Sequence, residues 1–351
     1  MSKQYVIPIF VPHLGCPNDC VFCNQKSISG QMKQITEEDV DKTIEEFLNS
    51  FKEEKLHTEI AFYGGSFTGI DIELQEKLLK VAYKYVENKK VDGIRISTRP
   101  DYIDKERLKL LKRYGVKTIE LGVQSTNDYI LNKAKRGHTF EDVKKASKLI
   151  RRYRFTLGHQ MMVGLPESTW IDELNTAKDL AKLKPKIVRL YPVLVIKQTE
   201  LAKDFAKGEY HPITLEQAVE RCKDLYYYFN KKKITVIRMG LQNTDIISNP
   251  ENINSEVVAG PYHEAFGQLV EDSIWYDRIL AAIKKVNTKV AELEIEVNPE
   301  NVNSIIGHKK ENIQKLKDLY DVEVKVKQNF NIKPGKFNLN IIKTYKEFLD
   351  D

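Results

Sequence analysis

Six short apolar runs, separated by five charged amphipathic stretches, constrain this chain more than any other feature. The runs are Tyr5–Val11, Glu59–Tyr63, Gly93–Ser97, Thr118–Gly122, Thr156–Met162 and Ile187–Tyr191. Between them Thr36–Phe51, Leu74–Glu87, Lys105–Tyr114, Phe140–Arg152 and Trp170–Leu183 repeat apolar residues at helical spacing. A strand that reaches the next strand only through a helix pairs with it in parallel, and repeating that unit curls the sheet. The expected fold class is α/β, a partial (β/α)6 TIM-like barrel. Thr36 with Asp39, and Thr214 with Gln217, have the spacing of helix caps.

Such a barrel gathers its chemistry at the carboxyl ends of the strands, where successive loops meet at one mouth. The unusual residues of this chain fall there: Cys16–Cys23, Gly64–Gly65, Ser97–Arg99, Gln124–Ser125, His159–Gly164 and Tyr191–Pro192. Ordinary turn punctuation would be more scattered. Cys16, Cys20 and Cys23 stand in CxxxCxxC spacing. Three thiolates turned to one centre hold three irons of a cubane cluster and leave the fourth iron open. A zinc site completed by His13 and a chance spacing are the competing readings. Cys222 lies in the expected helix Thr214–Tyr228, outside the local motif.

Composition narrows the setting. With 351 residues the chain can bury a large core and a smaller second domain, here drawn as 1–290 and 291–351 around the Asn298–Pro299 region. A hydrophobic share of 41% beside 30% charged residues, with no leader pattern and no long uncharged apolar span, makes a cytoplasmic, non-membrane protein the expectation. Clustered thiols in a long chain argue for a metal site in a reducing compartment over a disulfide framework. The net charge of +6 permits an RNA partner, and a solvated lysine-rich surface accounts for it equally well.

The polar loops extend the cysteine reading. Gly64 and Gly65 let backbone approach a ligand closely, with Ser66 and Thr68 beside them. Ser97 and Arg99 offer a hydroxyl and a guanidinium, Asp101 suits a helix cap, and Gln124 both donates and accepts. Along Thr156–Met162, His159 and Met161 share one face, Gln160 and Met162 the other. His159 is then either a ligand for cofactor or substrate or a hydrogen-bonded core histidine.

The cysteine spacing resembles that of the radical S-adenosylmethionine (SAM) superfamily. That resemblance implies a [4Fe–4S] cluster on Cys16, Cys20 and Cys23 whose open iron chelates S-adenosyl-L-methionine, a reducing electron donor, and cleavage to a 5′-deoxyadenosyl radical. It places Gly64 and Gly65 at the methionyl amine, and Ser66, Ser97, Arg99, Gln124 and His159 around the carboxylate or ribose. Phe22 covers the cluster or packs near the adenine, unless it is an apolar loop anchor. Further motifs, among them Lys135-Arg136-Gly137-His138 and Val258–Gly267, resemble the radical domain of the elongator catalytic subunit and span about residues 12–270. That makes Arg136, His138, Lys197 and His263 candidates for substrate or accessory-cofactor contacts, with surface solvation or loop hydrogen bonds as the alternative, and tRNA or other RNA the expected substrate. Arg136-Gly137-His138 forms a compact turn suited to phosphate or carboxylate.

The match is incomplete. About 60 residues follow the radical domain and carry no acetyl-CoA-binding glycine turn, so acetyl transfer is not expected, and a separate acyl-donor protein is one way to complete the reaction. The tail segment Gly307-His308-Lys309-Lys310 resembles the loop of a KH RNA-binding module, with Lys310 where a second glycine is usual. A small α+β domain that is KH-like, or one that is a structural cap, fits equally. Against the RNA-modifying enzyme stand a radical enzyme acting on a small molecule and a catalytically quiet iron–sulfur electron-transfer protein.

Overall fold

Alternation within each apolar run decides which way its side chains point. In Gly93–Thr98 the isoleucines 94 and 96 take one face while Arg95 and Ser97 take the other, and the neighbouring strands repeat the pattern in register. The computed structural model describes residues 4–11, 20–24, 35–50, 57–241, 247–286 and 289–345. The chain divides into two compact units, Met1–Ala218 with Leu225–Glu264, and Val219–Asp224 with Ala265–Asp351. The joint drawn from sequence, at 290, lies inside the second unit.

The first unit is built on one parallel sheet. Strands β1 (Gln4–Val11), β2 (His57–Gly64), β3 (Gly93–Thr98), β4 (Val116–Gln124), β5 (Thr156–Val163) and β6 (Ile187–Pro192) follow each other across it. After the two-residue β7 (Val195–Ile196), β8 (Thr235–Met239) adds a seventh strand beside β6. Spatial order equals sequence order, so the sheet curls one way into a half-barrel whose edges are β1 and β8. β7 pairs antiparallel with β9 (Val257–Ala259), a small element that the apolar runs did not announce.

Register sorts the two faces. One row runs Ile9, Phe62, Ile96, Ile119, Leu157, and every member is buried. This face packs on the helices: His159, in the adjoining row with Leu121 and Val188, bonds Ser147 of helix Phe140–Arg152. The opposite, inner face carries Glu59, Tyr63, Arg95, Ser97, Glu120, Gln124, Gln160, Arg189 and Tyr191. Burial of the apolar row supplies the stability, at about 1.5–3 kcal/mol for each fully buried large side chain.

The helices match the sequence reading closely. Glu37–Ser50, Ile72–Glu87, Lys105–Arg113, Phe140–Arg152 and Trp170–Lys182 differ from it by two residues at most. Both expected caps form: Thr36 and Asp39 bond reciprocally, and Thr214 with Gln217 makes a capping box that opens Leu215–Lys231.

The second unit has its own three-stranded sheet. Central β10 (Val290–Val297) pairs in parallel with β11 (Glu323–Gln328) and antiparallel with β12 (Phe337–Thr344). Helices Phe266–Ile283, Val302–Ile306 and Glu311–Tyr320 complete the unit. Trp275, Ile279, Leu293, Ile295, Val297, Ile305, Leu316 and Val322 form its core. It is an α+β domain.

Candidate active site at the strand ends

The inner face of the half-barrel is graded. Near the middle of the strands Glu59, Arg95, Glu120 and Arg189 are all buried, at 9% exposure or less. Arg95 donates to Glu59 at 2.6 Å through Nε and to Glu120 at 3.2 Å through Nη1. Arg189 bonds Glu120 as well, and its Nη2 reaches the Tyr63 hydroxyl at 2.8 Å while Nη1 reaches Tyr191 at 3.2 Å. Gly158 makes room for this: a first side-chain carbon there would lie 2.9 Å from Glu120 Cγ. Toward the carboxyl ends the lining opens, with Phe10 exposed and Tyr63, Ser97, Gln160, Met162 and Tyr191 half-buried. The half-barrel thus has a closed, charge-paired floor and a polar, aromatic mouth. Burial holds the Tyr63 hydroxyl above its ordinary pKa against the opposing pull of Arg189, so it stays protonated and able to donate.

Gly64 ends β2 at φ +110°, and a side chain there would place its first carbon 2.2 Å from the Val11 carbonyl oxygen. The close approach demanded of this glycine is therefore to β1, just before the cysteine loop, and the Gly65 N–H donates to the same carbonyl at 3.4 Å. Ser66 is fully turned in. Its hydroxyl pairs with Thr98 Oγ1 at 2.7 Å and accepts from the Arg99 N–H at 3.2 Å, while Thr68 Oγ1 also meets Thr98. These hydroxyls fasten the glycine loop to the end of β3. Arg99 is buried with a bidentate bond to Asp101, 2.9 Å from each oxygen.

At the end of β4 a bulge between Gly122 and Gln124 leaves Gln124 at φ +71°, a conformation that costs a non-glycine residue about 1–3 kcal/mol. Its amide meets Gln160 at 3.3 Å across the mouth. The bulge also presents two successive carbonyls to the Lys135–His138 loop. Arg136 Nη2 donates to Gly122 O at 2.8 Å and His138 Nε2 donates to Val123 O at 3.2 Å, with Gly137 at φ +69° letting both side chains turn the same way. The turn is compact, as expected, but both side chains are buried and face protein carbonyls; it does not offer itself to a phosphate from outside. Burial first, then the Arg136 and Arg99 charges, push the His138 pKa down to about 3. His138 is neutral, and its Nδ1 is buried without a partner among the described residues.

Of the cysteine loop, residues 20–24 are described; Cys16 and His13 lie outside the described residues. Cys20 and Cys23 stand on one turn, closed by the Cys23 N–H on the Cys20 carbonyl at 2.9 Å. Three bonds pin the segment: Val21 N–H to Ala134 O at 3.3 Å, Leu201 N–H to Val21 O at 2.8 Å, and Asn24 Nδ2 to Lys197 O at 3.0 Å. Cys20 is buried, and Arg136 Nη1 stands 3.2 Å from its sulfur. Phe22 packs in a cluster with Val21, Ile130, Leu165 and Val193, the surroundings of an apolar anchor.

Comparison with known proteins fits this geometry. The family model of the Radical SAM superfamily matches residues 10–180, and that of the Radical_SAM C-terminal domain matches 185–276. The chain belongs to the radical SAM superfamily. An uncharacterized protein of Methanocaldococcus jannaschii is 31% identical over 60% of this chain and 63% of its own length. The tRNA uridine(34) acetyltransferase of the same organism is 32% identical over 46% of this chain and 34% of its own. The chain thus spans under two thirds of one relative and about a third of the other. Among solved structures, archaeal Elp3 of Methanocaldococcus infernus superposes with a TM-score of 0.62 at 22% identity, covering 83% of this chain and 66% of that one. The expected likeness to the elongator radical domain holds.

The radical SAM half-barrel gathers some sequence candidates and disperses others. Cys20, Gly64, Gly65, Ser97, Gln124, Arg136 and His138 all belong to strand ends or the loops on them. His159 does not: it is 1% exposed on the helix-facing side, bonded to Ser147 Oγ at 2.9 Å, with burial holding its pKa down to about 3. It is a core histidine, and the ligand reading is corrected. The Lys197 side chain is exposed and His263 is half-buried, each in the region of β7 and β9. Arg189 was not singled out from the sequence, and Tyr63, Gln160 and Tyr191 entered it only as members of strands and strand ends, with no role given to them. The signal was there in Ile-Val-Arg-Leu-Tyr-Pro, where alternation puts Arg189 and Tyr191 on the face opposite two buried apolar residues. Among the described residues no helix is long and apolar enough to cross a membrane.

Proposed function

We propose that Cys16, Cys20 and Cys23 hold a [4Fe–4S] cluster, that S-adenosylmethionine binds beside it at the mouth of the half-barrel, and that the substrate is RNA. The observation that carries the first part is the pair Cys20 and Cys23, soft donors on one pinned turn, with a guanidinium beside a thiol that would carry negative charge. That donor set suits an anionic iron–sulfur group. Among the described residues no group of three ligating side chains is assembled, since the third cysteine lies outside them. When bound, the pair of cofactors supplies a carbon-centred radical able to abstract hydrogen.

The rest falls to this chain's residues. Gly64 and Gly65 bring bare backbone to the mouth beside β1. Gln124 and Gln160 provide amides that both donate and accept. Tyr63 and Tyr191, held by Arg189, supply hydroxyl donors and apolar rings that exclude water from the reacting region. The closed floor beneath them keeps a substrate near the strand ends. A one-electron reductant of low potential is the partner this chemistry requires.

RNA is supported by the similarity to a tRNA uridine(34) acetyltransferase and by the tail. There Gly307 stands at φ +79°, followed by Lys309 and Lys310 at +50° and +66°, both exposed. The position that in a KH loop is glycine adopts the left-handed backbone as lysine. Gly307 cannot be larger, because a side chain would meet the Asn312 backbone nitrogen at 2.9 Å. The loop is braced from beneath by the His308 N–H on Asp272 at 2.9 Å and by Asn312 Nδ2 on the Asp272 and Ser304 carbonyls. Two lysines on a braced turn are suited to phosphate.

One experiment tests both parts. The full chain, reconstituted anaerobically with iron and sulfide, should form 5′-deoxyadenosine from S-adenosylmethionine when reduced and bind bulk tRNA with salt-weakened affinity. Cys20→Ala or Cys23→Ala abolishes the product, and Cys222→Ala does not. Lys309→Glu with Lys310→Glu weakens tRNA binding at least about tenfold at low salt and lowers the salt dependence by about two counterions. Active protein without iron sinks the cluster, and RNA binding indifferent to salt and to these lysines sinks the substrate.

A further inference from the structure

Arg136 holds a position that a merely structural arginine does not need. It is 8% exposed, yet only two of its three nitrogens find partners among the described residues. Nη2 is spent on Gly122 O and Nη1 on Cys20 Sγ, while Nε is buried with none. Among the described residues no carboxylate is bonded to it, whereas Arg99 and Arg189 each bond one and Arg95 bonds two. A buried guanidinium without a counter-anion is costly, and such a cation persists where an anion is supplied from elsewhere. The candidate among the described residues is the sulfur of Cys20, which as a metal ligand is a thiolate.

The backbone fixes the arginine there. Arg136 N–H caps the Leu131 carbonyl at 2.9 Å, Val21 N–H bonds Ala134 O, and the bulge at Gln124 turns the Gly122 carbonyl toward the guanidinium. One side chain therefore ties the cysteine loop to the strained end of β4. His138 adds no second positive charge, because burial and, after it, the same guanidinium keep it neutral.

From this geometry we infer that Arg136 is the resident counter-charge of the cluster site and sets how readily the cluster accepts its electron. The inference rests on the cluster reading proposed above. A hydrogen bond to a ligating sulfur and a buried positive charge each favour the more negative, reduced form of an iron–sulfur group. The step is one electron passing from a low-potential donor to the oxidised cluster; no bond is made or broken, and the cluster's net charge falls by one. Arg136 stabilises that added charge. It is a positioning residue, distinct from the groups of the mouth that would touch substrate.

The test uses the full chain reconstituted anaerobically, with iron and sulfide counted and the midpoint potential followed by low-temperature electron paramagnetic resonance. Three variants separate charge from hydrogen bond: Arg136→Lys keeps charge, Arg136→Gln keeps a donor, Arg136→Met keeps neither. The expected order of midpoint is wild type, then Lys, then Gln, then Met. Between the ends, the reduction equilibrium falls at least about tenfold, about 59 mV for one electron. The resonance line shape should shift with it, which loss of packing alone would not produce. If the Met variant fails to retain iron, the Lys and Gln variants decide, Gln titrating lower. Equal midpoints in all loaded variants overturn the inference and leave the cluster reading intact. A wild-type chain that binds no iron and sulfide overturns the cluster reading itself.

Discussion

Two sheets in this molecule carry rows of acidic and basic side chains, and they stand in opposite relation to water. In the half-barrel Glu59, Arg95, Glu120 and Arg189 cross four strand gaps on the inner face, all buried. In the second unit Glu292, Glu294 and Glu296 of β10 pair with Lys325 and Lys327 of β11, whose side chains are 69% and 59% exposed. Both set glutamates against basic side chains, arginines in the first and lysines in the second. Hydration makes the difference: a charge stripped of water must be matched by its neighbours, whereas an exposed one is already solvated and screened. The inner network therefore defines a shape, a floor of paired charge beneath a polar mouth, and the outer ladder dresses a surface.

The sharpest way to break that contrast is to remove the acid both inner arginines share. Glu120→Ala leaves Arg95 without one partner and Arg189 without its carboxylate, and should cost about 3–5 kcal/mol in urea unfolding, the range for a broken buried pair. Replacing the whole network, Glu59→Leu and Glu120→Leu together with Arg95→Met and Arg189→Met, should recover most of that loss. A cost below about 1 kcal/mol for the single change would mean the floor is wet and that the network behaves like the exposed ladder.

His159 tests the other face of the same sheet. Its folded pKa of about 3 lies below the ordinary value near 6.5, so on acidification the unfolded chain takes up the proton first. Its contribution to stability is complete above about pH 6.5 and is lost as pH falls toward 3. His159→Leu should cost about 1–3 kcal/mol near pH 7.5 by leaving the Ser147 hydroxyl unpaired. The same change should flatten the fall in stability between about pH 6.5 and 5, with His138, depressed in the same direction, retaining the remainder. Unfolding curves at several pH values measure both, and an unchanged slope would place the histidine in contact with water.

How much of this was readable beforehand follows from the same alternation. The strands and helices of the half-barrel were legible because apolar side chains on a parallel sheet must meet helices, and that requirement writes itself into spacing of two and of 3.6. Even the facing of His159 with Met161 was legible, although which of the two faces looked inward was not. The difficulty at Arg136 and His138 was of another kind. Their chemistry depends on a bulge at Gly122–Gln124 that turns two carbonyls toward them, and a bulge has no marker in the local sequence here beyond one glycine. Ser66 was read as a ligand because it follows two glycines, but its hydroxyl is consumed by Thr98, 32 residues away in sequence. The long helix Phe266–Ile283 belongs to the second unit although sequence spacing drew the joint near residue 290; its apolar residues Trp275, Ile279 and Ile283 meet β10 residues that pattern alone does not pair with them.

The smallest expected effect completes the comparison. Lys327 reaches both Glu294 at 3.9 Å and Glu296 at 3.3 Å from the neighbouring strand, so by a count of contacts it resembles Arg95. Its ammonium keeps its water, however, and the long side chain must be immobilised to make either bond, so the Coulomb gain and the entropy loss nearly cancel. Lys327→Ala should leave the unfolding midpoint unchanged within error, at low salt and at high salt alike. A clear loss at low salt that vanishes at high salt would show that the ladder acts as a cooperative network. In that case the second unit's sheet, like the floor of the half-barrel, would owe part of its stability to charge order.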